Sequence, residues 1–166
     1  ALPEQNFEEF LNKYMDILRQ KISEGAPECF GRLYEGLSKP KRKILSKALR
    51  GDISKRLSSF KLEDIIKMLY NVVPATREIV LNQYKEIMMQ PKFSKIILDT
   101  PIETLAEFLS LAPESIRRAL IKRHKETLTS DEFLEKLRTT DPDTRAQLLR
   151  WLPMDLSKEI VSKISS

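Results

Sequence analysis

One cysteine, one histidine, one tryptophan and four glycines in 166 residues leave this chain little material for covalent, metal or phosphate chemistry. Cys29 has no partner for an internal disulfide, which fits a reducing compartment, cytoplasmic first and nuclear as the alternative. It stands between Glu28 and Phe30 with no basic neighbour to favour a thiolate, so it reads as a half-buried helical thiol. His124 lies in Arg123-His124-Lys125, and the positions three and four residues on are Thr127 and Leu128, so helical spacing supplies no second metal ligand. It reads as a residue favoured at a helix C-terminus. The glycines are too scattered to form a phosphate-cradling loop, and Glu63 and Asp64 project at different azimuths of a helix, so no carboxylate pair forms. These absences predict a non-enzymatic protein with no catalytic residue, no metal and no cofactor.

Long apolar runs are missing as well. No eighteen consecutive apolar residues occur and no basic, apolar, small-residue leader opens the chain, so the sequence predicts neither membrane insertion nor a signal peptide. Because residue 1 is Ala rather than Met, the chain reads as a processed product or as part of a larger protein. No window shows a strand alternation bounded by turn glycines.

Helical periodicity takes its place. Phe7, Phe10, Leu11, Tyr14, Ile17, Leu18 and Ile22 recur at steps of mostly three and four, one stripe of a helix that Gly25-Ala26-Pro27 should stop. Phe30, Leu33, Tyr34 and Leu37 continue that spacing. A helix from about Pro40 carries Ile44, Leu45, Ala48 and Leu49 and is expected to end at Gly51, with Asp52 capping the next. Further helices are predicted over 61–73, from Pro74, and over 93–98. Later ones are announced by Asp99-Thr100-Pro101, Ala112-Pro113-Glu114, Ser130-Asp131-Glu132, Asp141-Pro142-Asp143 and Pro153-Met154-Asp155. Short helices separated by such stops cannot cover their own apolar stripes, so they must stack on one another. The reading is all-α: about eleven or twelve short helices in one helical-repeat domain over 1–166, divisible into 1–90 and 91–166.

Prolines 40, 74, 113 and 142 punctuate this pattern at intervals of 34, 39 and 29 residues, each followed three or four positions later by Lys43, Arg77, Arg117 or Arg145. That regularity predicts a face that is basic throughout. Charge is concentrated in the middle of the chain: residues 35–60 sum to +6, residues 61–125 to +3, and each end to −2. The run Lys39, Lys41, Arg42, Lys43, continued by Lys47 and Arg50, is the strongest surface signal, and Arg117, Arg118, Lys122 and Arg123 form a second cluster. Such clusters suit an acidic or amphipathic protein partner, or phosphate backbones through counterion release. No aromatic residues interleave the first run, which argues against stacking on single strands. Tyr70 and Trp151 are the candidate apolar anchors.

Two passages carry a family resemblance. Phe133-Leu-Glu-Lys-Leu137-Arg-Thr-Thr-Asp-Pro142-Asp-Thr-Arg145-Ala-Gln-Leu148-Leu149-Arg-Trp-Leu152-Pro153 and Ile102-Glu-Thr-Leu-Ala-Glu-Phe-Leu109-Ser-Leu-Ala-Pro113-Glu-Ser-Ile-Arg117-Arg-Ala-Leu120 resemble the short-helix repeats of two proteins. These are the middle domain of the flagellar motor-switch protein FliG and the N-terminal domain of MgtE magnesium transporters. The resemblance is concentrated in residues 101–166. It implies a right-handed, armadillo-like superhelix that binds other proteins or associates with copies of itself. The Glu-His-Pro-Gln-Arg motif and the paired-glycine hinge of the motor protein are absent, as is the acidic ion site of the transporter, so no functional residue carries over.

Overall fold

The structure is a computed structural model that describes residues 3–165. Among these residues there are thirteen α-helices, one 3-10 turn and no strand, so the chain is all-α. The helices are α1 (Glu4–Glu24), α2 (Pro27–Phe30), α3 (Lys39–Ala48), α4 (Arg50–Ser59), α5 (Leu62–Tyr70), α6 (Pro74–Met88), α7 (Phe93–Asp99), α8 (Ile102–Leu111), α9 (Glu114–Arg123), α10 (Lys125–Leu128), α11 (Asp131–Arg138), α12 (Pro142–Arg150) and α13 (Met154–Ile164). None of them is long and apolar enough to cross a membrane. Two compact units divide at Tyr84 and Lys85, inside α6. The Gln90-Pro91 break follows at the end of that helix.

In the first unit α1 packs on α3 and α4, and α2 packs on α5. Phe7, Leu11 and Ile22 of α1 are buried, with Leu45, Ile53 and Leu57 across from them on α3 and α4. Each such aliphatic or aromatic side chain contributes about 1.5–3 kcal/mol on leaving water. The predicted helix over Phe30–Leu37 is instead α2, a 3-10 turn at Gly31–Leu33, and a bend at Gly36, whose φ of 75° suits a residue without Cβ. Gly31 is needed for a different reason: a Cβ there would collide with the Cγ1 of Val72.

The second unit is built on α8 against α12 and α11 against α13, with α10 touching α7, α9 and α11. Ser130 caps α11 by accepting the Phe133 N–H at 3.3 Å, and Asp141 caps α12 by accepting the Thr144 N–H at 3.0 Å. Pro101, Pro113 and Pro153 occupy the N-cap position, and Thr100 turns its hydroxyl back to the Ile96 carbonyl. Gly51 does not end α3. That helix stops at Leu49 (φ −115°, ψ 17°), and Gly51 and Asp52 lie in the first turn of α4, where the acid faces the positive end of the helix.

Burial recurs at a forty-residue interval, the spacing of Pro113 and Pro153 and one more than that of Pro74 and Pro113. Residues 61–70 and 101–110 have the same order of buried, half-buried and exposed positions: Leu62, Ile65, Ile66, Met68 and Leu69 are buried, as are Ile102, Leu105, Ala106, Phe108 and Leu109. Phe93 and Phe133, Ile97 and Leu137, and Val80, Leu120 and Ile160 extend the match. Proline can sit at N-cap or N1 with equal ease, so it slides along the turn while the core positions stay in register.

One hydrogen bond recurs across the helix-to-helix turns, in this register at Arg77, Arg117 and Ser157 and outside it at Arg145. Arg77 donates Nε–H to the Leu69 carbonyl (2.8 Å), Arg117 donates Nη1–H to that of Leu109 (3.1 Å), Arg145 to that of Leu137 (3.4 Å), and the Ser157 hydroxyl to that of Leu149 (2.8 Å). Each donor lies eight residues after its acceptor, across a helix-to-helix turn. The last four carbonyls of any α-helix lack intrahelical partners and carry partial negative charge, so a guanidinium there satisfies and neutralises them together. The arginines read from sequence as a continuous basic face therefore bond to their own protein.

Two measurements follow from this arrangement. Arg77→Ala should lower stability in urea unfolding by about 1–2 kcal/mol, since a charged donor to a part-buried carbonyl is lost. Arg118→Ala, which removes only the exposed pair with Glu114, should change it by less than about 0.5 kcal/mol. The Asp141 carboxyl is held below its ordinary value of 3.8, first by the Thr144 side chain and then by the Thr144 N–H. Its contribution to stability is thus complete above pH 3.8 and lost as pH falls through the lower folded-state value. Helicity followed by circular dichroism during acid titration should decline less steeply there in Asp141→Asn.

Candidate interaction surfaces

The first basic run does not lie on one face. Lys39, Lys43 and Lys47 are exposed at successive four-residue steps of α3 and form one stripe. Lys41 turns toward α1, its ammonium 5.9 Å from the Phe7 ring centroid, and is half-buried, as is Arg42. Arg50 opens α4 and is exposed with a contact of its own.

Lys43 and Lys47 form one wall of a groove of about 680 Å³ between α1 and α3. Glu4 and Glu8 form the opposite wall, Asn12 lies beside them, and Leu11, Ile44 and Ala48 supply apolar surface between. The spacing explains the arrangement: Glu4 and Glu8 are one turn apart on α1, as Lys43 and Lys47 are on α3, and both pairs flank the residues by which the helices meet. The groove is therefore apolar in the middle, acidic on one side and basic on the other. Sequence reasoning identified the lysines and missed the glutamates, because only the packing of α1 on α3 brings them opposite.

The second cluster is dispersed by internal bonding. Arg117 donates to the Leu109 and Ala112 carbonyls and holds its guanidinium carbon 4.9 Å from the Trp151 ring centroid. Arg118 pairs with Glu114, and Arg123 donates to the Met89 carbonyl at 2.8 Å. Lys122 is exposed. Trp151 is half-buried beneath Arg117, with Arg150 at 5.7 Å from its ring, so it is a packing residue with cations on it. Tyr70 is open, 56% exposed beside Val73 at 57%. Cys29 is exposed, contrary to the half-buried expectation, because α2 is a single turn whose inner side is occupied by Phe30.

His124 is buried and belongs to a polar lock. A carbonyl can only accept, so Nε2 must carry the proton it donates to the Met88 oxygen at 2.6 Å. Nδ1 then accepts from the Ser94 hydroxyl at 3.0 Å, which accepts in turn from the Thr127 hydroxyl at 2.8 Å. The histidine thus serves the C-terminal end of α6 and not that of its own helix. Lys136 acts similarly on α7, donating to the Leu98 carbonyl at 2.6 Å and to that of Thr100. Desolvation lowers its pKa, opposed by the charges of Asp99 and Glu132. Lys136 was not singled out from sequence, since a lysine thirty-eight residues from its acceptor leaves no local signal.

No group of three or more His, Cys, Asp or Glu side chains capable of holding a metal ion occurs among the described residues. Comparison with protein families, with curated proteins and with solved structures finds no match to this chain.

Replacing His124 with Leu should cost about 1–3 kcal/mol in thermal or urea unfolding, because the Met88 carbonyl and the Ser94 hydroxyl lose their partner in a buried place. Stability unchanged within about 0.5 kcal/mol would show that the lock does not contribute.

Proposed function

We propose that this chain is a non-enzymatic helical-repeat scaffold whose α1–α3 groove receives an amphipathic helix from a protein partner. The groove carries the reading: apolar surface that would bury a helix stripe, with charges of opposite sign on its two walls to fix the orientation of what binds. The forty-residue recurrence of burial and the repeated bond to a leucine carbonyl support a repeat architecture of stacked short helices. We take that architecture to be a right-handed, armadillo-like superhelix, in keeping with the resemblance to the FliG and MgtE repeats. A cytoplasmic setting suits the single unpaired cysteine.

Nucleic acid is the second candidate ligand, favoured by the Lys39, Lys43 and Lys47 stripe. It fits less well, because a phosphate backbone following that stripe runs beside Glu4 and Glu8 across the groove. The two readings separate by salt: affinity for nucleic acid falls log-linearly with ionic strength, whereas burial of apolar surface keeps its hold.

A photo-crosslinking amino acid at Ala48, on the exposed floor of the groove, should capture a discrete protein in the source cell. The Lys43→Glu/Lys47→Glu double variant should reduce that capture about tenfold or more. Equal capture by the double variant, or crosslinking to nucleic acid in its place, would overturn the proposal.

A further inference from the structure

The outer face of α12 is the place where the forty-residue register stops being covered. Ala146 occupies the position of Ile66 on α5 and Ala106 on α8, both buried, yet Ala146 is exposed. On α13, Val161 corresponds to Leu81 and Ile121, which are 0% and 5% exposed, and Val161 is 48% exposed. Met154, one helical face with Val161 and seven residues before it, is 74% exposed. In the second unit α12 packs against α8, while Asp143, Ala146, Gln147 and Arg150 of α12 stay exposed.

The charges on that open side specify what covers it. Asp143, Ala146, Gln147 and Arg150 are all exposed and fall at i, i+3, i+4 and i+7, a single face of α12 with an acid at one end, a base at the other and the smallest side chain between them. Such a face is complementary to itself when turned end for end. An antiparallel copy crossing near Ala146 and Gln147 sets Asp143 of each chain against Arg150 of the other. The small alanine lets the two helices approach closely. We propose that this face, together with Met154 and Val161, is a two-fold interface between copies of the chain, separate from the α1–α3 groove.

Sedimentation equilibrium of the 166-residue chain gives the test. Wild type should rise from a mass of 19.3 kDa toward twice that value with increasing concentration. Asp143→Arg leaves two bases facing each other across the two-fold, and Arg150→Asp leaves two acids, so each variant alone should weaken association at least tenfold. An equimolar mixture should recover association as a mixed dimer, which also shows that both variants are folded. Val161→Glu should abolish association without loss of helicity. A wild-type chain that stays at 19.3 kDa up to about 0.5 mM would overturn the proposal. So would a dimer indifferent to either reversal, or reversals that are not rescued by mixing.

Discussion

Every helix end leaves carbonyl groups that need donors, and the thirteen α-helices among the described residues have many such ends. This requirement organises the molecule more than any other polar interaction in it. Arg77, Arg117, Arg145 and Ser157 each reach back across a turn to a leucine carbonyl, and Arg56, Arg123, His124, Lys136 and Arg138 bring donors to helix ends from distant positions in the sequence. Short helices are individually marginal in water, so the apolar stripes must be buried by neighbours and the ends must be satisfied at the same turns. Longer helices would need fewer donors per residue. Here basic composition and short helices go together, and part of the positive charge, Arg117 and Arg123 of the second cluster included, is bonded to the fold's own carbonyls.

That bonding separates surface from scaffold. Of the cations left open on α3, Lys43 and Lys47 face a groove already lined by glutamates. In the proposed role, a partner is selected by its arrangement of charges more than by its net charge. The same reasoning distinguishes Trp151 from Tyr70. Both are large aromatic residues at the end of a helix, yet Trp151 lies beneath the guanidinium of Arg117, whereas Tyr70 projects next to exposed Val73.

Much of the fold was readable in sequence where the information is local. Leucine and isoleucine pairs at three and four residue steps located most helices, and Ser130 and Asp141 announced their own caps because an N-cap bond spans three residues. What stayed hidden depends on distance. The role of Arg77 or Arg117 requires the geometry of the turn, which bends an arginine onto a carbonyl eight residues earlier. His124 looked like a helix-end residue and was one, but the end belongs to α6, thirty-six residues away. Glycine misled at Gly51, since a stop signal has no force once Leu49 has already broken α3. The proline intervals of 34, 39 and 29 residues only approximate the forty-residue recurrence of burial, because the core register is held by buried side chains and not by the residue that starts the helix. At the candidate groove the lysines were visible as a run, and the facing carboxylates were not.

The arginines after the helix turns cap leucine carbonyls of their own protein, and arginine side-chain NMR tests this directly. Rotation about the guanidinium Nε–Cζ bond and exchange of Nε–H should be slowed for Arg77, Arg117 and Arg145 relative to exposed Arg118. Averaging that is equally fast at all four would contradict the account.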